Sequence, residues 1–294
     1  MTGAAGFIGR QVVADLQTSG ERVIATDLAP CEVPSEACDI TDGTALAKLF
    51  QRHSIQNVIH LAAILPSAAR LNPETATRVN ILGSLNVLQA AARAKVRRFV
   101  FASSSSVYGL GVGEGPVSEQ EPAKPGDLYG AAKLYVEALG QEMAEATGMQ
   151  FIALRIATVV GPGARNTASP WRSEIFEKLT ALTRAVISIP TRPDALACLL
   201  HVEELADMLV ILASAEWISS RVYNTPAEVL KFRELKALIE SLNPKIRVEL
   251  ASDDGRKTPP SVDGSSFLKD FGFEPLPVTD RLKQAIAAEF LPDD

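Results

Sequence analysis

Cysteine and histidine are scarce in this chain of 294 residues, which contains only three of each. They are scattered, at Cys31, Cys38, Cys198, His53, His60 and His201. A structural zinc site needs such ligands at short spacings, and a disulfide framework needs a dense cysteine pattern, so the sequence predicts neither. A few isolated cysteines are typical of reduced thiols in a cytoplasmic protein.

Long apolar runs and an excess of positive charge are also missing. No stretch approaches the ~20 apolar residues that a membrane-spanning helix requires, and the first residues do not have the pattern of a signal peptide. The formal net charge is −6. An acidic chain lacks the basic surface to which nucleic acids and anionic membranes bind. We therefore expect a cytoplasmic location and a small-molecule substrate, with neither nucleic acid nor membrane as a partner.

The chain has enough apolar side chain for a sizeable core, since 47% of its residues are hydrophobic and 22% are charged. Strand-like segments alternate with amphipathic helical segments through the first half. Strands are predicted at 22–27, 58–62, 99–102 and 151–157, and helices at 44–52, 75–94 and 128–146. This alternation predicts an α/β fold with a doubly wound parallel sheet of the Rossmann type.

A glycine-rich loop opens the chain, with Gly3, Gly6 and Gly9 spaced as G-x-x-G-x-x-G before a helical pattern. Glycines at this spacing let the backbone approach a pyrophosphate, which then lies at the helix N-terminus. Such a loop normally follows a strand, but only Met1 and Thr2 precede it. We therefore expect the first strand of the sheet to be truncated.

Asp27 is at the end of the next predicted strand. A carboxylate at this place can accept hydrogen bonds from the adenosine ribose and would repel a 2′-phosphate. Leu28 and Ala29 supply no arginine to compensate. The sequence therefore favours NAD over NADP.

Tyr129 and Lys133 are four residues apart on one predicted helix, so they share a face. An ammonium group beside a phenol favours the phenolate, so we expect Lys133 to lower the pKa of Tyr129 and make it a general base. A strand that ends in Ser103, Ser104 and Ser105 could supply a hydroxyl for the substrate oxygen. Side chains alternate along a strand, and we place Ser104 in the site.

Taken together, these motifs resemble the extended short-chain dehydrogenases/reductases, the NAD-dependent epimerase/dehydratase family. The resemblance rests on segments 2–9, 60–63, 80–83, 103–109 and 129–133, together with Asp27. It implies an NAD-binding Rossmann domain over 1–163, to which 199–224 returns, and a smaller C-terminal substrate lobe over 164–198 and 225–294. It implies catalytic roles for Ser104, Tyr129 and Lys133. It also implies an NAD site lined by Gly3, Gly6, Phe7, Ile8, Gly9, Asp27, Asp39, Ile40, Leu61, Ala62, Ala63, Asn80, Tyr129, Lys133 and Ile156.

Several reactions are open to such a site. The resemblance argues against a dehydratase, because Ser105 and Ser106 stand where those enzymes have an acidic residue. A simple dehydrogenase is favoured, and a nucleotide-sugar 4-epimerase is the alternative. A non-catalytic NAD-binding protein is a second alternative, which the presence of both Tyr129 and Lys133 argues against.

The segment 154–175 resembles in part the D-erythronate dehydrogenase branch, whose members oxidise sugar acids. Together with the end of the strand before it, this resemblance predicts four substrate-binding residues: Ser104, Thr158, Asn166 and Arg172. Arg165 and Arg192 are further candidates for binding an anionic group, either a carboxylate or a diphosphate. The Trp171 side chain either packs in the core or stacks on a base or sugar ring. The resemblance also makes a homodimer possible, through helices 75–94 and 128–146.

Overall fold

A computed structural model describes residues 1–28, 35–110, 115–165, 168–252 and 259–289. Its strands are β1 (Ala25–Asp27), β2 (Ser35–Ala37), β3 (Asn57–His60), β4 (Arg98–Ser104), β5 (Gln150–Ile156), β6 (Thr158–Val160), β7 (Ala185–Ile189), β8 (Leu196–His201), β9 (Val222–Asn224), β10 (Glu228–Lys231) and β11 (Ile246–Leu250). Its α-helices are α1 (Phe7–Thr18), α2 (Gly43–Arg52), α3 (Pro66–Leu71), α4 (Pro73–Thr77), α5 (Ser84–Arg93), α6 (Leu128–Thr147), α7 (Trp171–Glu177), α8 (Val202–Ser214), α9 (Phe232–Leu242), α10 (Ser265–Phe271) and α11 (Val278–Glu289).

The main sheet is parallel, with β3, β4, β5 and β9 in that order and β1 paired with β2. Met1 and Thr2 lie between β1 and β3. Thr2 forms parallel bridges to Thr26 and to His60, and the Thr26 amide donates to the Met1 carbonyl at 2.8 Å. These two residues therefore join the two parts of the sheet, at the place where the first strand was expected to be truncated.

Helices cover both faces of this sheet. On one face, α1 and α8 pack on each other and on the strands, through a core that includes Val12, Ile152 and Leu209. On the other face, α2, α5 and α6 enclose a core that includes Leu46 and Phe99. Strands covered on both faces read as continuous apolar runs, as β4 and β5 do. The doubly wound α/β fold is confirmed.

A second group of elements follows β5. Strand β8 pairs with β6 in parallel and with β10 in antiparallel, while β7 pairs with β11. Helices α7, α9 and α11 close a core around Trp171, Ile187 and Leu235. Helix α8 and strand β9 lie on the main sheet. The exact division into two lobes stays a prediction.

Two helices differ from the sequence prediction. The segment 75–94 is not one regular α-helix, because a π-helical segment at Arg78–Gly83 separates α4 from α5. The apolar pattern of the sequence also predicts a helix over 171–182, but helix α7 ends at Glu177. The Asn243 side chain donates to the carbonyls of Leu179 and Ala181, which replaces the hydrogen bonds of another helical turn. In the ranges that the structure describes, no helix combines the length and apolarity needed to cross a membrane.

Candidate active site

The glycine loop lies against the chain that follows β3. Gly3 has a φ of +73°, and a Cβ atom there would lie 2.7 Å from the Ala62 amide nitrogen, so a larger residue would push the loop away. Helix α1 begins at Phe7, and no described side chain caps its first amides. Its first turn holds no acidic residue. The uncapped N–H groups and the helix dipole fit a pyrophosphate, as the glycine spacing predicted.

Asp27 ends β1 beside this loop. One carboxylate oxygen accepts from the Ala5 amide at 2.9 Å, and the other accepts from the Leu28 amide at 2.8 Å. Each carboxylate oxygen has a second lone pair, so both can also accept from a ribose hydroxyl. Asp27 therefore joins the phosphate-binding loop to the ribose position that the sequence predicted for it.

Ile40, which was predicted to line the NAD site, has a different surrounding. Its side chain is buried in the core beneath α2 and α5, and a Cβ atom on Gly83 would lie 2.8 Å from it. Its carbonyl accepts from the Asn86 side chain at 3.0 Å. The place of Ile40 in the NAD site stays a prediction, and its buried side chain limits any such contact to a small part of its surface. Asp39, the preceding residue, accepts from the Thr41 amide at 2.8 Å and stabilises this turn.

Leu61, Ala62 and Ala63 follow β3 and are half-buried. Asn80, in the π-helical segment, fixes the next residue of this loop. It accepts from the Ile64 amide at 2.7 Å and donates to the Ile64 carbonyl at 2.9 Å. Asn80 therefore positions this loop, and its place in the NAD site stays a prediction.

His60 holds the same region from inside the sheet. Its Nδ1 is 2.6 Å from Thr2 Oγ1, and its Nε2 is 2.9 Å from Ser84 Oγ. Ser84 donates its own proton to the Asn80 carbonyl, so it accepts from His60 Nε2–H, and Nδ1 is the acceptor for Thr2. Burial lowers the pKa of His60 to about 3, so the ring is neutral.

The predicted catalytic residues converge at the ends of α6 and β4. Asp127 caps α6 by accepting from the Gly130 amide at 2.8 Å. A Cβ atom on Gly130 would collide with the Ser106 carbonyl, so glycine allows α6 to approach the end of β4 closely. Lys133 Nζ donates to the Ala102 carbonyl at 2.6 Å and lies 5.5 Å from the centre of the Tyr129 ring.

Ser104 is the last residue of β4, and it pairs in register with Ile156 at the end of β5. The Ser104 side chain lies close enough to Tyr129 to lower the pKa of its phenol. Ser103 has the opposite orientation and donates to Glu137 behind the site. Ile156 itself is buried in the core, with its side chain among the apolar residues of that face.

The sequence led us to expect that Lys133 lowers the pKa of Tyr129. This expectation was wrong when only the groups of the protein itself act on Tyr129. Burial raises the pKa of Tyr129 to about 12, Asp127 adds to the rise, and Arg172 and Ser104 oppose it. Burial also lowers the pKa of Lys133 to about 7, against the opposing charge of Glu137. Both charged forms lose solvation here, and for each group this loss outweighs the favourable charges and hydrogen bonds around it.

The predicted substrate residues are spread over β6 and α7. Arg172 reaches the site, because its charge and that of the Tyr129 phenolate affect each other's pKa. Its Nε is buried and has no hydrogen-bond partner among the described residues. Thr158 begins β6 and is partly exposed. Arg165 and Arg192 are exposed, Trp171 is buried in the core, and Asn166 lies outside the described residues.

One pair of buried charges was missed from the sequence. Glu137 and Arg155 form an ion pair, with Arg155 Nη2 and Glu137 Oε2 2.7 Å apart. The signal was present, because Glu137 continues the spacing of Tyr129 and Lys133 by one more helical turn. Charged residues on a face that packs against a sheet are almost never buried unless they are paired.

The model of the NAD dependent epimerase/dehydratase family matches residues 1–225. The chain belongs to this family. Membership confirms the resemblance that the motifs indicated. This family uses NAD as its cofactor, and its members are enzymes.

Curated relatives include both enzyme types that the sequence left open. A UDP-glucose 4-epimerase of Halalkalibacterium halodurans is 33% identical over 169 residues, which cover 55% of this chain and 50% of that protein. An L-arabinose 1-dehydrogenase (NAD(P)(+)) of Haloferax volcanii is 34% identical over 172 residues, covering 53% of this chain and 65% of that protein. The aligned part of the chain thus spans about half the length of the first of these relatives.

Solved structures match over the full chain. A GalE-like L-threonine dehydrogenase from Cupriavidus necator has a TM-score of 0.87 at 22% identity, and the match covers 97% of this chain and 98% of that one. MoeE5 in complex with UDP-glucose and NAD has a TM-score of 0.82 at 27% identity, covering 97% and 96% of the two chains. The first likeness shows the fold alone. Neither comparison assigns a substrate to this protein.

Proposed function

We propose that this protein is an NAD-dependent oxidoreductase that oxidises a secondary hydroxyl of a sugar acid or a related anionic sugar derivative. The observation that carries the proposal is the convergence of Ser104, Tyr129 and Lys133 at the edge of the sheet where the glycine loop lies. The cofactor, when bound, supplies a hydride acceptor. The side chains of this protein bind the substrate and the cofactor and accept the proton.

Each of the three residues has a separate role in the proposal. Ser104 binds the substrate oxygen, and Tyr129 takes the hydroxyl proton. Lys133 holds the ribose beside the nicotinamide and provides positive charge for the phenolate. Because burial opposes both charged forms, the phenolate and the ammonium are favoured together rather than singly.

Arg172 supports an anionic substrate. A buried guanidinium nitrogen without a partner among the described residues is costly, and a bound anion would satisfy it. The charge of Arg172 reaches the Tyr129 phenol, so the anion would lie near the reacting hydroxyl. The carboxylate of a sugar acid and the diphosphate of a nucleotide sugar would both meet this requirement.

A nucleotide-sugar 4-epimerase is the second candidate, favoured by the UDP-glucose 4-epimerase among the relatives and by the bound UDP-glucose of MoeE5. Such an enzyme uses the same proton and hydride transfers but returns the hydride to the opposite face. A non-catalytic NAD-binding protein is the third candidate, and the preserved Tyr129 and Lys133 argue against it.

The deciding experiment screens sugar acids of four to six carbons and UDP-sugars in parallel, with NAD. Net formation of NADH with a sugar acid supports the dehydrogenase. Interconversion of a UDP-sugar without net NADH would replace the proposal by the epimerase. Bound NAD with neither reaction would leave the binding protein.

We also propose a homodimer, through the outer faces of α6 and the π-helical segment. These neighbouring elements expose large apolar side chains at Leu82, Leu128 and Tyr135. Leu128 and Tyr135 are seven residues apart, so they lie on one face of α6. A sedimentation measurement that gives only monomer would refute this. The cytoplasmic location stays a prediction.

A further inference from the structure

The buried carboxylate of Glu137 lies one helical turn beyond Lys133 and two turns beyond Tyr129 on α6. Only 2% of Glu137 is exposed. It accepts from Arg155 Nη2 at 2.7 Å and from Arg155 Nε at 3.1 Å, and it also accepts from the Ser103 hydroxyl. Ser103 directly precedes Ser104, so Glu137 touches the strand end that carries the proposed substrate-binding hydroxyl.

Arg155 is also held at its other nitrogen. Arg155 Nη1 donates to the Tyr108 hydroxyl at 2.9 Å, and Tyr108 donates to Asn224 Oδ1 at 2.8 Å. Asn224 donates in turn to the backbone carbonyls of Val117 and Asp263. The guanidinium is therefore fixed on β5 and faces Glu137 in one orientation, so its charge acts on this carboxylate at close range.

Lys133 is buried between Glu137 and Tyr129. Its ammonium donates to the Ala102 carbonyl and lies 4.7 Å from the centre of the Phe101 ring. The titratable and charged groups in this region come from four elements. They are Tyr129, Glu137 and the capping Asp127 of α6, His60 on β3, Arg155 on β5 and Arg172 on α7. His60 is neutral and adds no charge. Glu137 is the acidic residue that lies one turn from Lys133 on α6. Carboxylate and amine residues at this spacing are neighbours on a helix.

We propose that Glu137 is a positioning residue that keeps Lys133 charged, and that Arg155 sets the strength of this effect by neutralising part of the Glu137 charge. The proposal rests on the role of Lys133 in the proposed function. A purely structural ion pair would hold α6 against β5 and would leave the titration of Lys133 unchanged. Under the proposal, removing Glu137 and removing Arg155 shift the titration of Lys133 in opposite directions. Under the structural reading, neither change shifts it.

The test titrates Lys133 in the full chain by nitrogen NMR of its ¹⁵N-labelled side chain, with the signal assigned by its loss in Lys133→Met. In Glu137→Gln, the midpoint should fall by about one to three pH units, the range produced by one nearby opposite charge. In Arg155→Gln, the midpoint should rise, because Glu137 then acts on Lys133 alone. Glu137→Asp keeps the charge and should restore most of the normal midpoint.

Glu142→Gln is the matched control, since it removes the same charge from an exposed position of α6. Removing one member of a buried ion pair can prevent folding, whereas removing both is better tolerated. The double variant Glu137→Gln/Arg155→Gln removes both charges. Because Arg155 neutralises only part of the Glu137 charge, the midpoint of the double variant should lie below that of the unaltered protein and above that of Glu137→Gln. A double-variant midpoint at or above that of the unaltered protein would mean that the ion pair as a whole does not keep Lys133 charged, and would overturn the proposal. Single variants that leave the midpoint in place would do the same.

The pH dependence of turnover separates this proposal from the proposed function. If Lys133 must be charged for turnover, the loss of activity at high pH should move down in Glu137→Gln and up in Arg155→Gln, by the shifts seen in the titration. Shifted titrations with an unshifted activity profile support the Glu137 effect and refute the catalytic role of Lys133. An unshifted titration in an active enzyme refutes the Glu137 effect alone.

Discussion

The amine of Lys133 lies 5.5 Å from the centre of the Tyr129 ring, one helical turn along α6. Both groups are largely removed from water, and burial disfavours the charged form of each. Proton transfer through Tyr129 therefore depends on charges supplied inside the site.

Tyr129→Phe should reduce turnover by about 10²–10⁴-fold, the usual contribution of a general base, with the affinity for NAD unchanged. Steady-state kinetics and NAD titration by calorimetry measure the two quantities. Tyr135→Phe is the matched control, because it removes the same hydroxyl from an exposed position of α6. Normal turnover in Tyr129→Phe would remove the residue from the acid–base role.

Arg172→Met should raise the KM for an anionic substrate by about 10–100-fold, which corresponds to the ~1.5–3 kcal/mol of a hydrogen bond to a charged group. The NAD affinity should not change. Arg165→Met is the comparison, since Arg165 is an exposed arginine of the preceding loop. A larger effect in Arg165→Met would transfer the anion-binding role to that residue.

Asp27→Asn should weaken the preference for NAD over NADP by about tenfold or more, because unit charges ~4 Å apart interact by about 1–4 kcal/mol near a protein surface. Asn keeps an acceptor for the Ala5 amide, so the loop itself is preserved. The ratio of kcat/KM for the two cofactors is the measurement. An unchanged ratio would mean that this carboxylate does not face the ribose.

His60 should make the protein less stable in mild acid. Burial lowers its pKa to about 3 from 6.5, so the unfolded chain binds more protons between these values, and stability falls as pH drops through that window. Between pH 7 and pH 5 the loss should be about 2 kcal/mol, measured by urea unfolding. His60→Gln should remove this part of the loss. His201, whose pKa burial lowers to about 4, will contribute a further part in both proteins.

Arg98→Met should lower the free energy of unfolding by about 3 kcal/mol, because it leaves several buried acceptors without a donor. Arg98 is fully buried and donates to Gln150 Oε1 and to the carbonyls of Leu212 and Ala215, at the end of α8. Arg97→Met is the control at the adjacent, exposed residue, whose contact with this end of α8 is a long one of 3.4 Å to the Ala213 carbonyl. Equal losses in the two variants would contradict the capping role of Arg98.

The fold and the main site motifs could be predicted from the sequence because they are local patterns. The glycine spacing, the strand that ends in Ser104 and the pair of Tyr129 and Lys133 each have a periodicity or an order along the chain. The parallel sheet follows from the alternation of strands and helices.

The remaining features depend on contacts between distant residues. Ile40 belongs to the turn that the sequence predicted for the NAD site, but its side chain packs in the core beneath α5. The direction of the Tyr129 pKa shift depends on burial, which spacing along one helix does not reveal. Arg155 meets Glu137 only once β5 and α6 are packed together. Strand β8 was missed because it directly precedes α8 and shares its apolar character.

The π-helical segment at Arg78–Gly83 joins α4 to α5. The number of residues in this segment therefore matters for the position of Asn80 as much as their identity does. Removing one residue from the segment would restore a regular α-helix and turn the chain before it by about 100°. Asn80 would then swing away from Ile64, and the loop after β3 would lose its two anchoring hydrogen bonds. A substitution at most positions of this helix would leave that anchor in place, whereas a single deletion would release it.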